Sequence, residues 1–138
     1  MSPGQQSLDE AATALLTESV SGIIAIYRFG SSVTGHSRPD SDIDLAVLAD
    51  GNLDPHVRFD LQDRLSAALR RPVDLVDLRS ATTVMASLVV TNGVVVYDGD
   101  PTRRGAFEDY VYGADARLNE ERRGILERVA AEGTVYGR

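Results

Sequence analysis

The chain contains no cysteine and no lysine. Without cysteine, disulfide bonds and thiolate metal sites are excluded, and the two histidines, His36 and His56, cannot form a zinc site unaided. Because all 14 basic residues are arginines, any countercharge to a bound phosphate must come from arginine, a metal ion or backbone N–H groups. Carboxylate oxygens are therefore the obvious metal ligands that this sequence offers.

Long apolar runs and excess positive charge are also missing. No run approaches the length that spans a bilayer, and residues 1–6 lack the regions of a signal peptide, which predicts a cytoplasmic protein without membrane contact. The formal net charge is −7, so the chain repels a nucleic-acid backbone and no direct nucleic-acid binding is expected. A length of 138 residues, 43% of them hydrophobic, fits one small domain with its own core.

The most informative stretch covers residues 29–45 and reads Phe-Gly-Ser-Ser-Val-Thr-Gly-His-Ser-Arg-Pro-Asp-Ser-Asp-Ile-Asp-Leu. Near its end, Asp42 and Asp44 alternate with apolar residues, which is typical of a half-buried strand that projects both carboxylates from one face. Neighbouring carboxylates repel each other, and a hard divalent cation such as Mg²⁺ relieves that repulsion by taking oxygen ligands. The alternation predicts a metal site, although a solvent-facing strand shows the same pattern.

Gly30 and Ser31 open this stretch directly after an apolar run. Glycine and serine after a strand offer backbone N–H groups and a hydroxyl to phosphate oxygens, although an ordinary turn uses the same residues. The pair combined with two aspartates at fixed offsets is much rarer than either feature alone. The combination predicts a phosphate cradle that faces metal ligands across one loop.

Gly30-Ser31 followed by Asp42-Ile43-Asp44 resembles the signature of the polymerase-beta-like nucleotidyltransferases, and the fuller string is similar to their minimal nucleotidyltransferase (MNT) branch. The similarity is detailed over residues 24–78 and looser to residue 97. It implies an α/β (α+β) fold in which helices flank a small mixed β-sheet. It also implies nucleotidyl transfer from ATP, assisted by Mg²⁺, with two ions expected.

The resemblance also assigns roles to individual residues. Asp42 and Asp44 would ligate the metal ions and serve in catalysis. In the loop before them, Arg38 and Ser41 could contact the triphosphate. Arg38 could equally be a surface residue, and Ser41 could instead fix the turn through its side chain. The nucleotide-binding residues that the resemblance implies are Gly30, Ser31, Ser41 and Arg38.

A third carboxylate is expected on the strand predicted for residues 72–78, which contains Asp74 and Asp77. Period-two alternation places these two side chains on opposite faces, so both cannot point at the metal ions. The family carries its acid at the first such position, which favours Asp74 as the third metal ligand and catalytic residue. Asp77 would then solvate or cap the following turn.

Helix and strand signals alternate along the rest of the chain. A capping box at Ser7 begins the first predicted helix, Asp54 followed by proline begins the second, and Ser80 begins the third, which Asn92-Gly93 closes with a left-handed residue. On the second helix, polar positions such as Arg58 are expected to form a solvated face. The predicted helices cover residues 7–19, 54–70 and 81–91, and the strands cover 23–29, 42–48, 72–78 and 94–97. The apolar stripes expected on the second and third helices are Val57, Leu61, Leu65, Ala68 and Val84, Met85, Leu88, Val89.

The chain becomes more charged after residue 101. The pattern of these residues predicts two helical segments, because Gly113 and Gly124 weaken the helical pattern. We expect a nucleotidyltransferase core over residues 1–100 and a helical C-terminal extension of the same domain over residues 101–138. The tyrosines and arginines of this extension suit either a solvated face or a partner surface.

Three functions follow from these observations and the resemblance. The first is a type VII-like antitoxin that transfers AMP from ATP to a tyrosine of a cognate HEPN-domain ribonuclease toxin and forms a hetero-oligomer with it. The second is a small-molecule, aminoglycoside-like nucleotidyltransferase, for which only the tail after Pro101 is available to build an acceptor pocket. The third is a non-catalytic antitoxin that neutralises its partner by binding, which the intact carboxylates argue against. The acidic charge argues against a template-bound polymerase.

Overall fold

The computed structural model describes residues 3–30 and 42–132, with the side chains of residues 4–30 and 42–125. These residues form a four-stranded sheet and four helices. The helices are α1 (Pro3–Ser19), α2 (Pro55–Leu69), α3 (Thr83–Asn92) and α4 (Pro101–Glu132), and the strands are β1 (Ile23–Phe29), β2 (Ile43–Ala49), β3 (Val73–Asp77) and β4 (Val94–Asp98). Among the described residues, no helix is long and apolar enough to cross a membrane.

The sheet is mixed, with the strand order β3-β2-β1-β4. Strand β1 runs antiparallel to both β2 and β4, whereas β2 and β3 are parallel and are joined through α2, as a parallel pair requires. This topology brings the C-terminal end of β1 to the same sheet edge as the N-terminal ends of β2 and β3. Strand β1, at the residues predicted for the first strand, is central in the sheet and almost entirely buried.

The core has two layers, one on each face of the sheet. One layer packs between the sheet and helices α1 and α2, and the other packs beneath α3 and α4. Along β2 and β3, successive residues enter alternate layers, since strand side chains point to opposite faces. Representative members of the first layer are Leu16, Ile26, Val47 and Leu65, and of the second Tyr27, Ala46, Leu48 and Val89.

Helix α2 begins as the sequence predicts, because Asp54 accepts a hydrogen bond from the His56 N–H at 2.8 Å and proline occupies the first turn. Its buried residues are Leu61, Leu65 and Leu69. The stripe predicted through Val57 and Ala68 is therefore wrong at both ends, as both residues are exposed. The helix lies at the outer strand of the sheet, where a narrow i, i+4 stripe suffices to contact the core.

Two helix starts differ from the prediction. Helix α1 begins at Pro3, so Ser7 lies inside it rather than at its cap; proline is well suited to a first turn. Helix α3 is capped by Thr82, whose hydroxyl accepts from the Met85 N–H at 3.1 Å, because Ser80 instead donates its hydroxyl to Asp77 at 2.9 Å. Sequence position alone could not decide between these competing caps.

Helix α3 also buries a different face from the one predicted. Ala86 and Val89 are buried, whereas Val84 and Leu88 are 56% and 47% exposed. Both buried residues belong to the core layer beneath α3 and α4. The predicted left-handed Gly93 is extended instead, with φ −79°. Glycine is required there because a Cβ would collide with the Val89 carbonyl oxygen.

Helix α4 is continuous, which corrects the prediction of two segments. Each internal glycine costs about 1 kcal/mol relative to alanine but does not interrupt the backbone hydrogen bonds of a helix. Near its start, Glu108 accepts a hydrogen bond from the Tyr27 hydroxyl at 2.7 Å, and Arg104 pairs with Glu108 at 3.0 Å and with Asp98 at 3.1 Å. This network joins α4 to β1 and β4. The division into a core and an extension stays a prediction.

Candidate active site

Three aspartates lie where β1 ends and β2 and β3 begin, and we call this end of the sheet the aspartate edge. Asp42 directly precedes β2, Asp44 is the second residue of β2, and Asp74 is the second residue of β3. In the sheet register Asp44 is flanked by Phe29 on β1 and by Asp74 on β3. Gly30 follows Phe29, so the predicted phosphate cradle begins at the same edge.

The side chains of Asp44 and Asp74 emerge from the same face of the sheet. Two residues further along each strand, Ala46 and Val76 belong to the core layer beneath α3 and α4. Because strand residues two apart share a face, both carboxylates point to the side of the sheet that carries these helices. Asp44 is half-buried, whereas Asp74 and Asp42 are exposed.

Burial and mutual repulsion govern the electrostatics of this edge. The pKa of Asp44 is raised, first by burial and then by the negative charges of Asp74 and Asp42. Within the described part of the chain, no three acidic, histidine or cysteine side chains converge closely enough to enclose a metal ion. The donors at this edge are all carboxylate oxygens, which fits a hard cation in chemistry, and a cation among them would favour their charged forms.

Gly30 is required by the position of Asp44. Its φ is +77°, in the left-handed region, and a Cβ there would collide with the Oδ2 of Asp44. The missing side chain therefore allows the carboxylate to lie directly against the backbone at the start of the predicted cradle. The other three predicted nucleotide-binding residues, Ser31, Arg38 and Ser41, lie outside the described residues.

Asp77 is held in a structural role on the opposite face. Its carboxylate is buried and accepts hydrogen bonds from the Leu53 N–H at 2.8 Å, the Arg79 N–H at 3.1 Å and the Ser80 hydroxyl at 2.9 Å. These contacts secure the turns that follow β2 and β3. The contact pattern favours Asp74 over Asp77 as the third carboxylate, and that assignment stays a prediction.

Three polar side chains of α2 hold the backbone on both sides of Asp74. The Val73 N–H donates to Ser66 Oγ at 3.0 Å, the Leu75 N–H donates to Gln62 Oε1 at 2.8 Å, and Arg58 Nη1 donates to the Leu75 carbonyl at 3.0 Å. The expectation that Arg58 belongs to a solvated face is therefore wrong. Polar residues spaced four apart were the available signal, but a solvated helix face shows the same spacing.

A buried ion pair lies near the C-terminal end of β1. Arg28 Nε and Asp9 Oδ1 are 3.0 Å apart with both side chains nearly excluded from solvent, and Gln5 donates to the same oxygen at 3.0 Å. The pair ties α1 to the strand that leads into Gly30. Removing one partner would leave an uncompensated buried charge. The apolar character of residues 23–29 concealed this pair from sequence analysis.

The fold and the aspartate edge define a class of protein. The family model described as polymerase beta, nucleotidyltransferase matches residues 12–102, and the chain belongs to this nucleotidyltransferase family. Within it, the chain is 38% identical over 127 residues to the protein adenylyltransferase MntA of Shewanella oneidensis, covering 92% of this chain and 91% of the relative. The family resemblance drawn from the sequence is thus confirmed.

Solved structures agree with this placement. A toxin–antitoxin structure with AMP-PNP matches with a TM-score of 0.80 and 37% identity, over 88% of this chain and 98% of that one. A tri-AMPylated HEPN toxin of Shewanella oneidensis in complex with its MNT antitoxin matches with a TM-score of 0.77 and 36% identity, over 91% and 98%. The predicted α+β fold is therefore confirmed.

Proposed function

We propose that this chain is a Mg²⁺-dependent protein adenylyltransferase that transfers AMP from ATP to a tyrosine of a cognate HEPN toxin and thereby neutralises it. The observation that carries the proposal is the alignment of Asp44 and Asp74 on one sheet face, beside a glycine that leaves the strand end open. The relatives of similar length are a protein adenylyltransferase and an MNT antitoxin in complex with an AMPylated HEPN toxin.

The residues of the aspartate edge have different roles in the proposed reaction. Asp42, Asp44 and Asp74 would hold two Mg²⁺ ions, which supply charge neutralisation for the triphosphate and make the acceptor hydroxyl more acidic. Gly30 leaves room for phosphates to approach the backbone. The remaining nucleotide contacts are assigned to Ser31, Ser41 and Arg38 on the resemblance. Catalysis would consist mainly of positioning and electrostatic stabilisation.

The transfer itself is an in-line displacement at the α-phosphorus of ATP. The tyrosine oxygen forms a bond to that phosphorus while the bond to the oxygen bridging the α- and β-phosphates breaks, and pyrophosphate leaves. Asp74 is our candidate acceptor of the tyrosine proton, on the pattern of the family. ATP is an intracellular metabolite, which supports the cytoplasm as the site of action.

The described residues offer little to the small-molecule alternative. One groove among them, between α3 and residues 103–114 of α4, has a volume of about 520 Å³. It is lined by Arg79 and Phe107, beyond the C-terminal end of β3, whereas the aspartate edge lies at the N-terminal end of that strand. A small acceptor bound beside Arg79 would therefore lie at the opposite end of β3 from the carboxylates.

The decisive experiment uses α-labelled ATP, Mg²⁺ and the HEPN-domain protein from the same genome. We expect the wild-type chain to label a tyrosine of that protein with one or more AMP units, identified by mass spectrometry. Asp74→Asn should slow labelling by about a hundredfold or more, because it removes a carboxylate that acts on the reacting groups. Asp77→Asn is the matched control on the same strand and should retain most of the activity.

The other outcomes separate the alternatives. Label on small molecules alone would indicate a small-molecule transferase. Neutralisation of the HEPN protein without any label would indicate an antitoxin that works by binding. Loss of activity in Asp77→Asn, with activity retained in Asp74→Asn, would assign the third carboxylate to Asp77.

A further inference from the structure

Each of the two central strands of the sheet carries a single charged side chain. In β2 this residue is Asp44, a candidate metal ligand, and in β1 it is Arg28, which the proposed reaction does not use. In the sheet register Arg28 lies opposite Leu45, the residue after Asp44, and Gly30 follows two residues later. The charge of β1 therefore lies at the aspartate edge, next to the start of the predicted phosphate cradle.

The Arg28 side chain points away from the candidate metal ligands. Ile26, two residues earlier on β1, belongs to the core layer on the side of α1 and α2, and strand residues two apart share a face. Arg28 accordingly pairs with Asp9 of α1, whereas Asp44 points to the side of α3 and α4. Arg28 is thus placed to act on the Asp44 side of the sheet only through the backbone.

The contact between Arg28 and Asp9 is buried and has a defined geometry. Arg28 Nε and Asp9 Oδ1 are 3.0 Å apart, and the two side chains are 5% and 11% exposed. The same carboxylate oxygen accepts a hydrogen bond from Gln5 Nε2 at 3.0 Å. A charge-assisted hydrogen bond constrains the distance and the direction between its partners, whereas an apolar contact constrains neither. The pair therefore sets where the end of β1 lies relative to α1.

The residue before Arg28 is held from the opposite face of the sheet. Tyr27 donates its hydroxyl to Glu108 of α4 at 2.7 Å, so consecutive residues of β1 are tied to helices on both sides. The backbone of Arg28 is also confined laterally, because β1 lies between β2 and β4 at this position. These contacts hold the strand two residues before Gly30, where the predicted cradle begins.

Stability alone does not account for a buried charge pair at this position. Two charges lose their hydration on burial, and replacing such a pair by apolar side chains of similar volume is often neutral or stabilising. The other residues of β1 are apolar or aromatic, so an apolar residue would suit the strand equally well. What the pair adds is a fixed position for the strand end. Catalysis is sensitive to such positions, since a misplacement of about 1 Å can cost about a hundredfold in rate.

We propose that Arg28 and Asp9 are positioning residues for adenylyl transfer. Their buried pair fixes the end of β1 against α1, and it thereby holds Gly30 against the Asp44 carboxylate, where the triphosphate and its metal ions bind. The pair acts through the backbone, and neither side chain touches the substrate. This inference rests on the proposed function, because it assigns the pair a role in ATP binding and transfer.

The test removes both charges together, because a single substitution would leave one buried charge unpaired. The combined variant is Asp9→Leu with Arg28→Met, and its matched control is Asp60→Leu with Arg64→Met. The control pair has the same two residue types, 3.9 Å apart on α2, but the arginine and aspartate side chains are 52% and 69% exposed. KM for ATP is measured with the HEPN-domain protein from the same genome as acceptor. We expect KM to rise about tenfold or more in the combined variant and to stay unchanged in the control.

The value of KM distinguishes a positioning role from a structural one. A less stable chain contains less folded enzyme, which lowers the maximal rate but leaves KM unchanged, whereas a displaced cradle weakens ATP binding itself. For the same reason, a variant that is partly unfolded still reports KM. The urea midpoint of the combined variant should stay close to that of the wild-type chain. Wild-type KM for ATP in the combined variant would overturn the proposal and leave the pair a structural role.

Arg28→Lys provides a second test that keeps the buried charge pair. The lysine ammonium is a point charge without the planar geometry of the guanidinium, so this variant should fold and still raise KM for ATP, by about threefold or more. If the combined variant does not fold, Arg28→Lys decides the question. Wild-type KM for ATP in that variant would then overturn the proposal.

Failure of the proposed function gives a different result. Binding of Mg²⁺ and ATP is measured separately, as a rise in melting temperature that needs no acceptor protein. If the wild-type chain shows this rise but transfers no AMP, adenylyl transfer is refuted. A smaller rise in the combined variant than in the control variant would still support the positioning role, and an equal rise in both would overturn it. No rise in the wild-type chain would overturn both proposals.

Discussion

At the scale of single residues, Gly30 shows how the candidate site depends on an absent side chain. Its positive φ alone disfavours other residues, and the Asp44 carboxylate occupies the space that a Cβ would need. One position therefore serves two purposes, since it turns the chain at the end of β1 and admits a carboxylate to the backbone.

We expect Gly30→Ala to lower the free energy of unfolding by about 1–2 kcal/mol and to lower nucleotidyl transfer as well, because the methyl group must displace Asp44. Chemical denaturation and a transfer assay measure the two effects. Gly51→Ala is the control, as a Cβ there would meet no atom within 4 Å. A Gly30→Ala variant with wild-type activity would show that the position of Asp44 against Gly30 is unimportant.

Tyr27 allows a prediction about pH. Its pKa in the folded chain is raised, first by burial and then by the hydrogen bond to Glu108 and the charge of Glu108. Because the pKa of Tyr27 is higher in the folded chain than in the unfolded chain, its neutral hydroxyl stabilises the fold fully at neutral pH. This stabilisation is lost as the pH rises above about 10, the pKa in the unfolded chain, towards the pKa in the folded chain. Alkaline conditions should therefore weaken the link between β1 and α4.

Tyr27→Phe should cost about 1 kcal/mol at pH 7, because the hydroxyl bond to Glu108 is lost. The difference in stability between wild type and variant should shrink at about pH 10.5, where only the wild-type chain carries this titrating group. Urea unfolding at the two pH values measures both quantities. Tyr110→Phe, at a position 67% exposed, should change little at either pH. An equal Tyr27→Phe cost at both pH values would contradict the linkage.

At the scale of elements, helix α2 completes the outer edge of β3. An edge strand exposes unpaired N–H and C=O groups, and here Ser66, Gln62 and Arg58 pair with those on either side of Asp74. This pairing replaces a neighbouring strand, and it also fixes the backbone that presents the predicted third carboxylate.

Gln62→Met should destabilise the chain by about 1–3 kcal/mol, because the Leu75 N–H loses its acceptor while the side-chain volume is nearly kept. AMP transfer should fall as well, since the backbone that carries Asp74 becomes less well positioned. Gln6→Met serves as the control, as the Gln6 side chain donates to Glu10 on the exposed side of α1. Transfer at the wild-type rate in a destabilised Gln62→Met would restrict Gln62 to a structural role.

At the scale of the whole molecule, substrate binding should stabilise the fold. A ligand at a hundred times its dissociation constant adds about 2.7 kcal/mol to stability, so Mg²⁺ with ATP should raise the melting temperature measurably. Chelation of the metal should remove most of the shift, because the carboxylates repel each other and the triphosphate without it. Asp44→Asn should weaken the shift. A chain whose melting temperature responds to neither ligand would count strongly against the site.

Much of this arrangement follows from local chemistry. The alternation around Asp44, the apolar run of β1 and the Asp54 cap each depend on neighbours in sequence, so their placement could be predicted. The cap of α3 and the buried faces of α2 and α3 could not, because competing local signals were decided by distant contacts. Ser80, for example, bonds to Asp77 instead of capping α3.

By itself, the sequence determined the family, the order of the strands along the chain and the aspartates of the candidate site, because these depend on residue type, spacing and period. Only the tertiary structure decided which side chains fill the core, how α2 pairs with the edge of β3, and how Tyr27 and Asp98 join α4 to the sheet. Those features depend on contacts between segments far apart in sequence, and no local pattern specifies which segments will meet.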